Sequence, residues 1–277
     1  MNRRTFLKTG IAAAVTLPAV GVGYGFAESD SVRIERVTRP LPNLPKSFDG
    51  LRVAFLTDLH HGPYTHLEFI SRIVRTTLSL QPDLILLGGD YSLRNWKYIR
   101  PCFDTLAGLS APLGVFGVLG NHDYWHGLDD TRAGMRRAGI AELTNSGTWI
   151  TNGTDRFRLG GVDDLWCGRP DLEAAVGEAT HRDAVLLVSH NPDFAETMRD
   201  NRVGLMLSGH THGGQMIVPG MKNPFIPSRY GQKYSHGLVE APRTTVYVSR
   251  GIGLTGLPVR YNCPPELTLL TLTAPNT

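Results

Sequence analysis

Arg52-Val53-Ala54-Phe55-Leu56-Thr57-Asp58-Leu59-His60 is a short apolar run that breaks off in a carboxylate and an imidazole two residues apart. The pattern returns downstream. Residues 83–87 end in Gly88-Gly89-Asp90, residues 115–119 in Gly120-Asn121-His122-Asp123, residues 184–188 in Ser189-His190, and residues 203–207 in Ser208-Gly209-His210-Thr211-His212. Between these runs the apolar spacing predicts helices. The first covers 65–80, with Thr65 and Glu68 as a capping box and Leu67, Ile70, Ile73, Val74 and Leu78 on one face. Others are expected over 96–109, 129–138 and 171–179, and from Asn191-Pro192 onward. Shorter strands are expected near 140–143, 148–150 and 157–161, then at 216–218, 245–249 and 267–272. The fold class is therefore α/β. In such sheets ligands sit beyond the carboxyl ends of strands, so five strand ends converge on one crevice.

The residues at those ends suit a metal site. Asp58 and His60, at i and i+2 of an extended segment, point the same way and can share a cation. Asp90 follows two glycines that let the backbone turn tightly, and its two oxygens can bridge two metals. Asn121 offers an amide oxygen. Its neighbour His122 is better placed as an acid, with Asp123 holding its tautomer. His190 stands alone after its strand, and His210 and His212 repeat the i, i+2 spacing. Imidazole, carboxylate and amide donors without thiolate suit Mn, Fe, Zn or Co. With Asp90 shared, two metals about 3.5–4 Å apart are expected.

The chain has 277 residues, 41% hydrophobic and 19% charged, which excludes disorder and fibrous repeats. Cys102, Cys167 and Cys263 are too few and too scattered for a disulfide framework or a zinc knuckle. Residues 1–27 carry Arg3, Arg4, Lys8 and no acid. The remainder has 25 basic against 25 acidic residues, which argues against nucleic acid as a partner. Arg3-Arg4-Thr5-Phe6-Leu7-Lys8, an apolar stretch and Gly25-Phe26-Ala27 read as an export signal resembling the twin-arginine type, or as an N-terminal anchor. Export through the twin-arginine translocase places the protein in the periplasm or cell envelope, or anchored to the inner membrane. The expected division is a signal or anchor at 1–27, an extended lead-in at 28–50 and one catalytic domain at 51–273.

In order, D-x-H, G-D, G-N-H-D, a lone His and G-H-x-H resemble the calcineurin-like metallophosphoesterases. The wording Thr57-Asp58-Leu59-His60-His61-Gly62, Gly209-His210-Thr211-His212-Gly213-Gly214-Gln215 and Pro258-Val259-Arg260-Tyr261-Asn262-Cys263-Pro264-Pro265 is similar to small bacterial phosphodiesterases with export signals or anchors. That subgroup also resembles the UDP-2,3-diacylglucosamine diphosphatases of lipid A synthesis. The resemblance implies a four-layer α/β/β/α sandwich. It implies a first metal on Asp58, His60, Asp90 and His212, and a second on Asp90, Asn121, His190 and His210. It places His122 by the leaving group, steadied by Asp123. Many members continue G-D-x-x-[D/R]; here Arg94 falls one residue out of register, so the substrate role of that position does not carry over.

The expected reaction is hydrolysis of a phosphodiester or a lipid pyrophosphate by a metal-bridging hydroxide. A metal-binding envelope protein without catalysis is the reading from another class. Gly251-Ile252-Gly253-Leu254-Thr255-Gly256 fits a dinucleotide fingerprint, but Pro258 and the later prolines forbid the helix it needs, leaving a loop close to the metals. His60 is preferred to His61 on spacing. His66, His126, His181 and His236 are expected on the surface, with the mouth as the alternative for His126 and His236. Residues 216–230 hold many apolar side chains and read as a loop packed on the body or, alternatively, as a lip for acyl chains or a membrane.

Overall fold

The chain is described by a computed structural model covering residues 28–275, apart from 219, 221, 222, 224 and 225. The export segment 1–27 lies outside the described residues. Twelve strands are described: β1 (Arg33–Pro40), β2 (Leu51–Leu56), β3 (Leu84–Leu87), β4 (Val115–Gly117), β5 (Ala141–Glu142), β6 (Ser146–Asn152), β7 (Asp155–Gly161), β8 (Val185–Val188), β9 (Leu205–Ser208), β10 (Gly237–Glu240), β11 (Thr245–Val248) and β12 (Glu266–Thr273). The helices are α1 (Leu67–Ser79), α2 (Ile99–Leu106), α3 (Asn121–Arg137), α4 (Leu172–Val176) and α5 (Phe194–Thr197).

Two six-stranded sheets form, ordered β1-β12-β2-β3-β4-β5 and β10-β11-β9-β8-β7-β6. Strand alternation assigns each side chain to a layer. In β2, Val53 and Phe55 enter the core between the sheets, while Ala54 and Leu56 face the core under α1–α3. In β8, Leu186 and Val188 join the central core, and Val185 and Leu187 face the layer that holds α4 and α5. Three apolar cores separate four layers, giving the α/β/β/α sandwich. The lead-in is itself structure: β1 pairs parallel with β12 from Arg33↔Glu266 to Pro40↔Thr273.

Several local expectations are corrected. The Thr65 capping box does not form: α1 is capped by His66 without a side-chain bond, and the Thr65 hydroxyl accepts the Leu254 amide at 3.2 Å. Leu78 is exposed, and Phe69 and Thr77 complete the buried face instead. Residues 216–218 make only a single bridge, Met216 to Tyr261. The third helix starts at Asn121 rather than 129, with a kink at Gly127, where φ is 146°. That earlier start matters for the site.

Candidate metal centre

The seven candidate donors lie just beyond the carboxyl ends of β2, β3, β4, β8 and β9, so both sheets contribute. All are buried. Three overlapping groups have ligand atoms within 4.8 Å of one another: Asp58, His60 and His212; His60, Asp90 and His122; Asp58, Asp90 and His190.

Asp90 sits at the middle. Its Oδ2 lies 3.4 Å from His60 Nε2 and 3.3 Å from His190 Nε2, and its Oδ1 accepts the His122 amide at 2.8 Å. On one side His60 Nε2 faces His212 Nε2 at 3.0 Å, and His212 Nε2 lies 3.2 Å from Asp58 Oδ1. On the other, His210 Nδ1 faces His190 Nε2 at 3.2 Å. His190 donates from Nδ1 to the Gly88 carbonyl at 2.8 Å, which leaves Nε2 as the ligand nitrogen. The Asn121 Oδ1 is buried and has no hydrogen-bond partner. A buried amide oxygen is seldom left so, and a cation is the partner that suits it. The donors therefore fit divalent metals.

The backbone is bent to make this cluster. Asp58, His60, Asp90, His210 and His212 have φ of 55°, 45°, 58°, 68° and 53°. The extended geometry expected for D-x-H and H-x-H is thus corrected: both pairs are left-handed turns. Such φ values cost energy for residues with a Cβ and gather at functional sites. Neighbouring glycines make room. A Cβ on Gly120 would fall on the Asp90 carboxylate, and one on Gly209 on that of Asp58.

Burial pushes the Asp58 carboxyl up, but the adjacent His212 pulls it below its ordinary value. Burial likewise works on Asp90, and His190 beside it drives it well below. Burial holds His60 well below the usual imidazole range and lowers His210 to about 3. Ionised carboxylates and neutral imidazoles are the states that metals take. His190 differs. Burial lowers it, but the Asp90 field raises it well above the usual range.

His122 and Asp123 occupy the first turn of α3. Asp123 does not hold the His122 ring, which corrects that expectation. Its oxygens accept the amides of Gly120 and Asp90 at 2.9 Å and of Tyr91 at 3.0 Å. As the N3 residue it accepts the amide of the N-cap Gly120, the half of a capping box open to a glycine N-cap, and so fastens the Asp90 turn to the helix start. Burial, then Asp90, raises it to about 7. The His122 ring is held through Nδ1 by His126 Nε2 at 3.1 Å and stands 4.7 Å from the His60 ring.

The remaining candidates divide. His61 bonds Thr65 O at 2.9 Å, outside the cluster. Arg94 stacks on Tyr64. His236 lies in a separate hollow with Glu35 and Tyr247. The Gly251–Gly253 loop packs on the site: Ile252 N donates to Thr57 O at 3.0 Å and Gly253 N to Asp58 O at 2.7 Å. Of the apolar lip, Met216 and Pro227 line the cleft, Ile226 is buried, and Val218 and Tyr230 are exposed. Pro219, Met221, Pro224 and Phe225 lie outside the described residues. Sequence reasoning missed Trp125, Trp166, Gln215 and the structural role of Arg260. The only sequence signal for the tryptophans is Trp125 one turn after His122.

This fold and donor set define a metal-dependent phosphoester hydrolase. The calcineurin-like phosphoesterase family model matches residues 51–214, and the chain belongs to that family. It is 33% identical over 285 residues to the uncharacterized metallophosphoesterase YkuE of Bacillus subtilis, covering 100% of this chain and 99% of the relative. It is 36% identical to phosphodiesterase YaeI of Escherichia coli over 278 residues, 98% of this chain and 99% of the relative. The Haemophilus influenzae NAD nucleotidase shares the fold at TM-score 0.50 and 12% identity, over 73% of this chain and 45% of that one.

Proposed function

We propose that the chain is a dinuclear-metal phosphodiesterase of the cell envelope. The observation that carries it is the central Asp90, flanked by two facing imidazole pairs and by the unpartnered Asn121 oxygen. The likeness to the Escherichia coli protein named a phosphodiesterase supports the diester class. Asp58, His60, Asp90 and His212 would hold one cation, and Asp90, Asn121, His190 and His210 the other, with Mn, Fe, Zn or Co as candidates. When bound, two such cations supply Lewis acidity that acidifies water and draws charge from phosphoryl oxygens.

The protein's own groups orient the rest. Burial lowers the His122 pKa, so this ring works as a neutral donor. Nδ1 is engaged by His126 Nε2 at 3.1 Å, which leaves Nε2 as the ring nitrogen free to serve the leaving oxygen. His122→Ala should slow a diester with a poor leaving group by about 10²–10⁴-fold. Metal analysis should still show both cations. A near wild-type rate on that ester rejects the role.

The deciding assay gives the Mn²⁺-loaded full chain bis-(p-nitrophenyl) phosphate, the monoester and UDP-2,3-diacylglucosamine. Diester turnover supports the proposal, and a large preference for the UDP-lipid moves the substrate into lipid A chemistry. No turnover with two metals bound favours the metal-binding envelope protein. The envelope location rests on Arg3-Arg4 and the apolar stretch that follows. Among the described residues no helix is long and apolar enough to cross a membrane. Replacing Arg3 and Arg4 by Lys should leave the protein in the cytoplasm on fractionation; unchanged export rejects the twin-arginine route.

A further inference from the structure

The metal cluster forms the floor of a cleft of about 430 Å³, within the usual range for small-molecule sites. Its walls are apolar, and two of them are tryptophans. Trp125 stands against the His122 ring with centroids 4.8 Å apart and is 54% exposed. Trp166 stands against the His210 ring at 4.3 Å and 90° and is 45% exposed. Two large aromatic side chains left partly in solvent in one cleft, each against an imidazole of the site, call for an occupant.

Both are fixed in place. The Asp164 carboxylate accepts the amides of Trp166 and Cys167 at 2.9 and 2.8 Å, setting the turn that carries Trp166. Trp125 lies on α3 next to Tyr124, whose hydroxyl donates to Asp163. The opposite wall is equally rigid: Gln215 Nε2 donates to the carbonyls of Thr255 and Leu257 at 2.8 and 2.9 Å. Preorganised walls lose little entropy on binding, and rigid indoles reward a flat partner over a flexible chain.

We infer that Trp125 and Trp166 form an aromatic subsite for the ester group beside the scissile phosphoryl, so that diesters bearing a flat ring are preferred over alkyl diesters. This rests on the phosphodiesterase reading above. The ring is an aryl group or a nucleobase, which share the stacking chemistry.

The test keeps p-nitrophenolate as leaving group and varies the second ester: methyl, n-hexyl, 1-naphthyl or 5′-thymidyl, on the Mn²⁺-loaded full chain. One of the two ring-bearing esters should exceed methyl in kcat/KM by about tenfold, the order that base–aromatic stacking supplies. The gain should appear in KM. It should fall to about twofold or less in the Trp125→Ala, Trp166→Ala double variant and persist with Phe at both positions. Naphthyl or thymidyl in the lead tells aryl from nucleobase. A ratio near one in the wild type, an undiminished ratio in the double variant, or hexyl matching the ring-bearing esters overturns the subsite. If no ester reacts, the phosphodiesterase reading fails instead. Calorimetric binding of naphthyl against methyl methylphosphonate then decides: tighter naphthyl binding that the double variant loses upholds stacking, and equal binding refutes it.

Discussion

Asp90→Ala should lose its metals and its activity together. The Asp90 carboxylate touches both imidazole sets and accepts the His122 amide in the first turn of α3, so one truncation unlinks both halves of the site. Lewis-acid stabilisation is worth several kcal/mol, so turnover should fall by about 10³-fold or more. Metal analysis should show about two ions per wild-type chain and one or none in the variant. Asp90→Asn keeps the shape and removes the charge. Its partial loss would separate electrostatics from packing. An Asp90→Ala protein that stays loaded and active would falsify the shared-ligand role.

The layers of this fold were legible because apolar strands announce themselves. Residues 84–87, 185–188 and 205–208 are near-continuous apolar runs, the mark of strands buried on both faces. Helix starts were harder. Thr65 and Glu68 had the right spacing for a cap, yet the loop at Leu254 takes the Thr65 hydroxyl, a contact 189 residues away in sequence. Gly120-Asn121-His122-Asp123 hid its helix start because polar metal donors occupy the first turn, where an apolar face would have shown it.

The donors were legible as residue types at strand ends, but for a reason the structure replaces. Period-two geometry put Asp58 with His60 and His210 with His212 on one side; left-handed backbone brings them together instead. Asp123 was the misjudged role. A carboxylate next to a histidine invites pairing, but three amides claim its oxygens first. Trp125 and Trp166 gave no periodic signal, since exposure of an apolar residue becomes visible only once the surface exists.

Arg260→Leu should be the most damaging change outside the donors. Its fully buried guanidinium donates to the carbonyls of Arg250 at 3.0 Å, Gly251 at 3.1 Å, Gly253 at 2.7 Å and Cys263 at 3.1 Å. It also comes within 3.4 Å of His212 Nδ1. It therefore gathers the loop that lies on Asp58 and the one whose Cys263 thiol bonds His212 O. Replacing a buried ionic group by an apolar one of similar size can be neutral when both partners are replaced. Here only the donor goes, and the carbonyls stay buried and short of partners. That asymmetry costs about 3–5 kcal/mol in total, allowing for partial rescue by water. At about 2–4 °C per kcal/mol, the midpoint of thermal unfolding should drop by roughly 10 °C. Metal affinity should weaken alongside, because His212 and Asp58 lose the loops that brace them. Arg260→Lys restores a cation but not the planar fork, so it should fall between the two. A Leu variant that melts within a degree or two of the wild type would show that these carbonyls find other partners.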